Sequence, residues 1–322
     1  MNQSNKICVV GGGYWGKNHI KTLNELGALG GIVDSNKETL LKYKTLYPSL
    51  NLYKSINDAL KEDTLSGFII ATPAKTHFKL AKVIISNSKS VLVEKPFALD
   101  LKEAKEMVRL SKKHKVNLMV GHLLLFHPAI IKIKKIIDKR EIGKLQYMYS
   151  NRVNLGKVRS EENVFWSLAP HDISIFQYLT NSFPNEINAK GSNFIQNGIF
   201  DSTISYLKYP NNIDGHIFSS WLHPFKEHRL VIIGSEGMIT FTDSDNNSPL
   251  LLYQNKIDIH NGIPNEIKGN CKEINYDKDM PLKKELEYFI SHLNDRDIKK
   301  ANANHALEVT KIMVKVSNEL ER

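Results

Sequence analysis

KICVVGGGYWGKNH, Lys6 to His19, decides the fold. Ile7 to Val10 is an unbroken apolar run that stops at glycine, the pattern of a short buried strand. The residues from Tyr14 to Leu26 read as a helix. Between them Gly11, Gly13 and Gly16 form G-x-G-x-x-G in the strand–turn–helix context that gives the pattern meaning. The first glycine permits the turn, the second admits a pyrophosphate to the backbone, and the third lets helix and strand pack closely. Tyr14 and Trp15 lie on the same turn, and the helix start offers free N–H groups and the positive end of a dipole. Asp34 closes the next apolar stretch, LGGIVD, roughly 20 residues on, where a carboxylate holds a ribose hydroxyl. The set reads as a dinucleotide site; a purely structural glycine turn is the alternative. Asp34 repels a 2′-phosphate and so favours NAD, whereas Lys37 is close enough to pair with such a phosphate and keeps NADP open.

Outward from this stretch the alternation continues. GFIIATP, VLVEKP and NLMVGH are further apolar runs bounded by turn residues. Between the strands the helical stretches are Lys37 to Leu46, THFKLAKVIISN and DLKEAKEMVRLSKKH. In the last of these Asp100 suits the N-cap, and Leu101, Ala104, Val108 and Leu110 form an apolar stripe. Such alternation predicts a parallel sheet with helices on both faces. After residue 122 the pattern changes. A basic amphipathic helix, Pro128 to Asp138, leads into the strand KLQYMYSNRVNL. Residues 187–253 are mostly strands, 255–281 read as irregular and polar, and helices return in LKKELEYFISHL and ANHALEVTKIMVKVSNEL. The predicted class is α/β: a Rossmann dinucleotide-binding domain over residues 1–122, then an α+β domain over 123–322. The second carries a large open, mostly antiparallel sheet for substrate binding and oligomerisation, with the terminal helix packing back toward the first domain.

Composition narrows the function. Of 322 residues 41% are hydrophobic and 24% charged, which suits a packed globular core. The net charge is +10, but its lysines are spread over most of the predicted helices, with no basic arm and no nucleic-acid motif. Solvated helix faces and a locally positive site for a small anion fit better than nucleic acid. No apolar run approaches the roughly 18 residues of a membrane span, and the apolar stretch near the start is too short for a signal peptide. Cys8 and Cys271 make neither a disulfide framework nor a metal cluster, so no metal is expected and the cytoplasm is the expected compartment.

VLVEKPF places Glu94, Lys95 and Pro96 at the carboxyl end of a buried strand, where open α/β sheets bind ligands. A strand leaving the sheet into solvent gives the same pattern. The functional reading is an ammonium group that bonds a substrate hydroxyl or carbonyl oxygen and exchanges its proton. GGGYWGKNH, ATPAKTH (Ala71 to His77), VLVEKP and the distal GHIFSSWLHPFKEHRLVIIGSEGMI, a tryptophan strand followed by a G-S-x-G turn, together resemble the Gfo/Idh/MocA oxidoreductase family. The resemblance covers nearly the whole chain, and E-K-P is its most specific part. It implies that Lys95 is catalytic and that Thr72, Pro73, His77 and Glu94 lie near the cofactor. YWGKNH, NLGKVRSEEN and WSLAPHDIS are similar to the branch acting on nucleotide-linked sugars, including UDP-N-acetylglucosaminuronate 3-dehydrogenases.

The resemblance thus implies hydride transfer between nicotinamide C4 and a sugar carbon, C3 of a nucleotide-linked sugar, in the making of surface-polysaccharide sugars. Two other readings stay open: a dehydrogenase or reductase of a free sugar or an inositol-like polyol, and a non-catalytic NAD(P)-sensing protein. A homo-oligomer, dimer or tetramer, is expected through the second-domain sheet.

Many family members carry an aspartate four residues before a histidine on a second-domain helix. The histidine matches His171, and Ser167 stands where the carboxylate is expected. The resemblance makes His171 catalytic beside Lys95. Ser167 can orient a sugar hydroxyl but cannot hold a proton as a carboxylate does. Asp172 lies about 100° further round the helix and suits the helix start behind Pro170. Arg152, Asn154, Lys157 and Arg159 are candidates to hold a diphosphate or carboxylate; solvated charge beside Glu161 and Glu162 is the alternative. His122 and His127 flank the domain junction and either contact substrate or are satisfied structural histidines. Trp166 and Trp221 read as core.

Overall fold

The computed structural model describes residues 5–156, 158–245, 247, 249–293 and 297–322. In chain order the first elements are β1 (Lys6–Val10), α1 (Gly16–Glu25), β2 (Leu29–Val33), α2 (Lys37–Leu46), β3 (Asn51–Tyr53), α3 (Ile56–Ala59) and β4 (Leu65–Ile70). There follow α4 (His77–Ser86), β5 (Ser90–Val93), α5 (Leu101–His114), β6 (Leu118–Val120), α6 (Pro128–Asp138), β7 (Leu145–Val153), α7 (Val164–Leu168) and α8 (Pro170–Thr180). The strands β8 (Glu186–Ser192), β9 (Ser202–Tyr209), β10 (Ile213–Ser220), β11 (Glu227–Gly234) and β12 (Met238–Thr242) come next. The chain ends with β13 (Leu250–Tyr253), β14 (Lys256–His260), β15 (Ile263–Ile267), β16 (Cys271–Glu273), α9 (Pro281–Ser291) and α10 (Ala303–Leu320).

Two compact units form. One holds residues 1–126 and 279–311, the other 127–278 and 312–322. The first contains a parallel sheet in the order β3-β2-β1-β4-β5-β6. Consecutive residues of its central strands are wholly buried: Ile7, Cys8 and Val9, then Phe68, Ile69 and Ile70, then Val91, Leu92 and Val93. Burial of neighbours on opposite faces requires cover on both sides, and each such side chain contributes about 1.5–3 kcal/mol. The strand order reverses between β1 and β4, so the ends of these strands make the switch point of a doubly wound sheet.

The chain does not divide once at residue 122. Segment 279–311 belongs to the first unit because Gly67 of β4 leaves room for it. A Cβ there would stand 2.5 Å from Leu293 Cδ2 and 3.4 Å from Phe289 Cε1. Residues near α10 also lengthen the sheet edge, where Val120 donates to the Ala301 carbonyl at 2.9 Å.

The second unit is built on an eight-stranded sheet in the order β16-β13-β12-β11-β7-β10-β9-β8. Only β10 and β7 run parallel in it; every other neighbouring pair is antiparallel. Met148, Ser150 and Arg152 of β7 point to its buried face. Phe176 of α8 rests on that face at Gly215, where a Cβ would come within 2.9 Å of its ring. The stretch expected to be irregular, 255–281, instead holds the β14–β15 hairpin and β16. Asn261 and Gly262, at φ 52° and 78°, make the hairpin turn. Asn-Gly is a hairpin signal, and it was readable between IDIH and IPNEI.

Candidate active site

The glycine turn has the geometry its residues dictate. Gly11 sits at φ 97°, and a Cβ there would lie 2.8 Å from Thr72 Cγ2 and 2.9 Å from the Ala71 carbonyl. Its N–H donates to Val33 O at 2.8 Å, tying the turn to β2. Gly16 is tighter: a Cβ would stand 1.8 Å from Gly11 O. Gly13 is the opposite case, with nothing within 4 Å of a Cβ, and Tyr14 beside it is 85% exposed. No side chain caps α1 and no acid stands in its first turn. An open glycine before an uncapped helix start fits a pyrophosphate. Asp34 accepts from Gly12 N and Asn36 N, both at 2.8 Å, so its carboxylate is fixed at the end of β2 by the turn itself. These residues fit NAD: the turn would hold its phosphates and Asp34 a ribose hydroxyl.

The Glu94–Lys95–Pro96 segment is bound to this turn. The Glu94 carboxylate accepts from Trp15 Nε1 and lies 2.7 Å from His19 Nε2, both on or beside α1. Its other oxygen accepts the Lys95 N–H at 3.1 Å. Trp15 and His19 reach the same carboxylate because residues four apart share a helix face. The Lys95–Pro96 bond is cis. Gly121, just after β6, closes the arrangement, since a Cβ there would fall 2.8 Å from Glu94 Oε2.

His77, expected near the cofactor, is a latch between loops. Its ring nitrogens lie 2.9 Å from the carbonyls of Thr72 and Pro96, and the residue is buried. Burial pushes its pKa down, against the pull of the two carbonyls and of Glu94. Thr72 Oγ1 and Thr76 Oγ1 are 2.6 Å apart, which ties the loop after β4 to its own next turn. Pro73 opens that turn, its carbonyl accepting from Thr76. His122 is 2% exposed, so a ligand does not reach it as it stands; its ring packs on His305 at 5.2 Å between centroids. Burial, then His305, then the Lys95 charge hold His122 neutral.

In the second unit, Ser167 lies in the last turn of α7 and His171 in the first turn of α8. Ser167 is 7% exposed, and His171 is half-buried. Asp172 stands in the first turn too, the helix-start place expected of it, and it is buried. Its carboxylate accepts from Arg152 Nε at 2.6 Å, Arg152 Nη2 at 3.2 Å and Ser150 Oγ at 2.6 Å. Arg152, expected to hold a diphosphate or carboxylate, is therefore engaged inside the fold, with Nη1 toward His228 at 3.2 Å. Arg159 pairs with Glu162 at 3.1 Å, the solvated-charge alternative. Asn154 continues the strand, donating its N–H to Ser220 O at 3.0 Å. Lys157 lies outside the described residues. His127 caps α6, accepting from Ala129 N. Trp221 is buried, and Trp166 Nε1 donates to Ser317 at 2.8 Å.

His19, Glu285 and His305 are the polar residues of this region that sequence reading missed. His19 had a signal in its i,i+4 spacing from Trp15; Glu285 and His305 had none. Among the described residues, no three His, Cys, Asp or Glu side chains group as metal ligands, and no helix is long and apolar enough to cross a membrane. A cleft of about 820 Å³ opens near Lys6, Leu29, Asn51 and Thr64, at the amino ends of the strands and away from the glycine turn.

The chain was compared with known proteins. UDP-N-acetylglucosamine 3-dehydrogenase of Acidithiobacillus ferrooxidans is 28% identical over 189 residues, 57% of this chain and 56% of that protein. The NAD(+)-dependent scyllo-inositol 2-dehydrogenase of Bacillus subtilis is 28% identical over 193 residues, 56% of each chain. The chain thus matches a little over half the length of these relatives. The solved structure of the Acidithiobacillus enzyme superposes with a TM-score of 0.86 at 23% identity, covering 98% of this chain and 97% of that one. Residues 5–122 match the model described as oxidoreductase family, NAD-binding Rossmann fold, and residues 130–240 match that of the GFO/IDH/MocA C-terminal domain. On both halves of its fold, the chain belongs to the Gfo/Idh/MocA oxidoreductase family.

Proposed function

We propose that the chain is an NAD-dependent oxidoreductase acting on a sugar CH–OH group, with C3 of a nucleotide-linked sugar as the favoured position. The observation that carries this reading is the Glu94 bridge. One carboxylate joins the helix of the glycine turn to the backbone of Lys95, so the cofactor-binding turn and the proposed proton-handling residue are fixed as one piece. When bound, NAD supplies the hydride acceptor. Lys95 takes the hydroxyl proton in oxidation and returns it in reduction. His171 is proposed as the second unit's substrate-contacting group, with Ser167 orienting a hydroxyl where many relatives carry a carboxylate. The protein contributes orientation and proton handling.

A polyol substrate is the second reading, favoured by the likeness to the inositol dehydrogenase. NADH formation is to be followed across UDP-sugars and inositols, with UDP as competitor. Turnover of a UDP-sugar with competition by UDP supports the first reading. Turnover of a polyol indifferent to UDP replaces it. Hydride transfer from neither leaves a non-catalytic NAD sensor. We also propose a homo-oligomer formed through the outer face of the eight-stranded sheet. Tyr149 stacks on His216 there at 5.1 Å, with Tyr147 beside them and Ile204 48% exposed.

A further inference from the structure

His228, near the start of β11, lies on the face of the second unit's sheet that carries Arg152. His228, Leu230 and Ile232 stand opposite Arg152, Ser150 and Met148 of β7, and residues opposite one another in an antiparallel pair share a face. Main-chain bonds fix its place: the His228 N–H donates to Ser244 Oγ, and its carbonyl accepts from Asp243 N, both at 2.9 Å. Two groups then claim one ring nitrogen. Nδ1 lies 3.2 Å from Arg152 Nη1 and 3.6 Å from Asp243 Oδ2. A guanidinium can only donate, and a carboxylate can only accept. Arg152 therefore needs the Nδ1 lone pair, whereas Asp243 needs a proton there. Distance decides between them, because 3.2 Å is within hydrogen-bond reach and 3.6 Å is not. Arg152 is itself held by Asp172 at 2.6 Å and 3.2 Å. Burial lowers the His228 pKa, with Asp243 opposing and the Arg152 and Lys226 charges adding to it. The ring is thus neutral at about pH 7, and its one proton sits on Nε2. That nitrogen has no partner among the described residues and is open to solvent, the side chain keeping 16% of its surface exposed.

We propose that His228 is a substrate-binding residue of the second unit, its Nε2–H donating to an acceptor oxygen of the sugar, and that Arg152 is the positioning residue that fixes this tautomer. His171 precedes Asp172 in the first turn of α8, so one histidine adjoins each end of the Arg152–Asp172 pair. Had Asp243 held Nδ1, Nε2 would carry a lone pair and His228 would be a base. With Arg152 on Nδ1 it is a donor and cannot take a hydroxyl proton. His228 therefore orients substrate and leaves proton handling to Lys95. The tautomer is independent of any reaction; the contact rests on the reading of a sugar substrate given above.

The test begins with the tautomer, read from the ring nitrogens of ¹⁵N-histidine-labelled protein free of NAD at about pH 7. The His228 signals are identified by their loss in His228→Gln, or in His228→Phe should the first not fold. Nε2 is expected to carry the proton and Nδ1 to be bare, in the wild type and equally in Asp243→Asn. A proton on Nδ1 in the wild type, or a change of tautomer in Asp243→Asn, overturns the role of Arg152. The second arm compares His228→Gln, whose amide can still donate, with His228→Phe, which cannot, on the UDP-sugar or inositol that supports NADH formation. The phenylalanine variant is expected to raise KM about tenfold with kcat within about threefold, and the glutamine variant to stay within about threefold of wild type in both. An unchanged KM in His228→Phe, equal rises in the two variants, or a loss confined to kcat overturns the contact. If no form turns over a substrate, UDP-N-acetylglucosamine and myo-inositol are each added to the labelled protein with NADH bound. A shift of the His228 Nε2 resonance with either supports the contact, and no shift with both overturns it.

Discussion

Single residues carry the sharpest consequences at the glycine turn. Gly16 faces main chain: a Cβ 1.8 Å from Gly11 O must lift α1 from β1. Gly16→Ala is predicted to lower the thermal midpoint and weaken NAD binding together. Gly13→Ala meets nothing within 4 Å and is predicted to weaken NAD binding with the midpoint unchanged. Thermal melts with and without NAD separate the two, and equal midpoints would refute the close-approach argument. In the second unit, Asp172→Ala leaves the Arg152 guanidinium buried and uncompensated, at an expected cost of about 3–5 kcal/mol in urea unfolding. A loss near zero would return Arg152 to the pool of ligand-binding candidates. The glycine turn and the place of Lys95 just past a strand end were legible in the sequence because both are local features. The Arg152–Asp172 pair was not. It depends on β7 turning alternate side chains inward and on α8 covering that face, and no local pattern records which face is covered.

Among the elements, α9 and α10 show how far a helix can be from its partners in sequence. Phe289 and Leu293 are apolar in any reading, but only the missing side chain of Gly67 says where they go. Likewise β3 is three residues with no periodicity, fixed by pairing beside Gly31, where a Cβ would strike the Tyr53 ring at 2.8 Å. The same unit buries three histidines whose pKa values burial lowers: His77, His122, and His305, the last to about 4. Depressed in the folded state, they are protonated first in the unfolded chain, near pH 6.5. Stability is therefore complete above about pH 6.5 and is lost as pH falls toward the folded values. His305 alone accounts for about 3 kcal/mol of that loss. Urea midpoints at about pH 7 and about pH 5 are predicted to converge in His305→Gln relative to wild type. An unchanged difference would mean that His305 titrates normally.

At the scale of the whole molecule, two family-typical halves met the expectation drawn from alternation in the first part of the chain and from strand density in the second. The open sheet face, with Tyr147, Tyr149 and His216, predicts self-association: light scattering of the wild type is expected to give a dimer or tetramer, and Tyr149→Lys the monomer. A monomeric wild type would refute that use of the face. The central claim is that Lys95, held to the cofactor turn through Glu94, handles the substrate proton. Its most direct test is Lys95→Ala, with NAD binding and NADH formation measured on the same preparation. The account predicts NAD binding at wild-type affinity with turnover reduced by about three orders of magnitude or more, the upper range for losing a general acid–base. Turnover at the wild-type rate in that variant would contradict it.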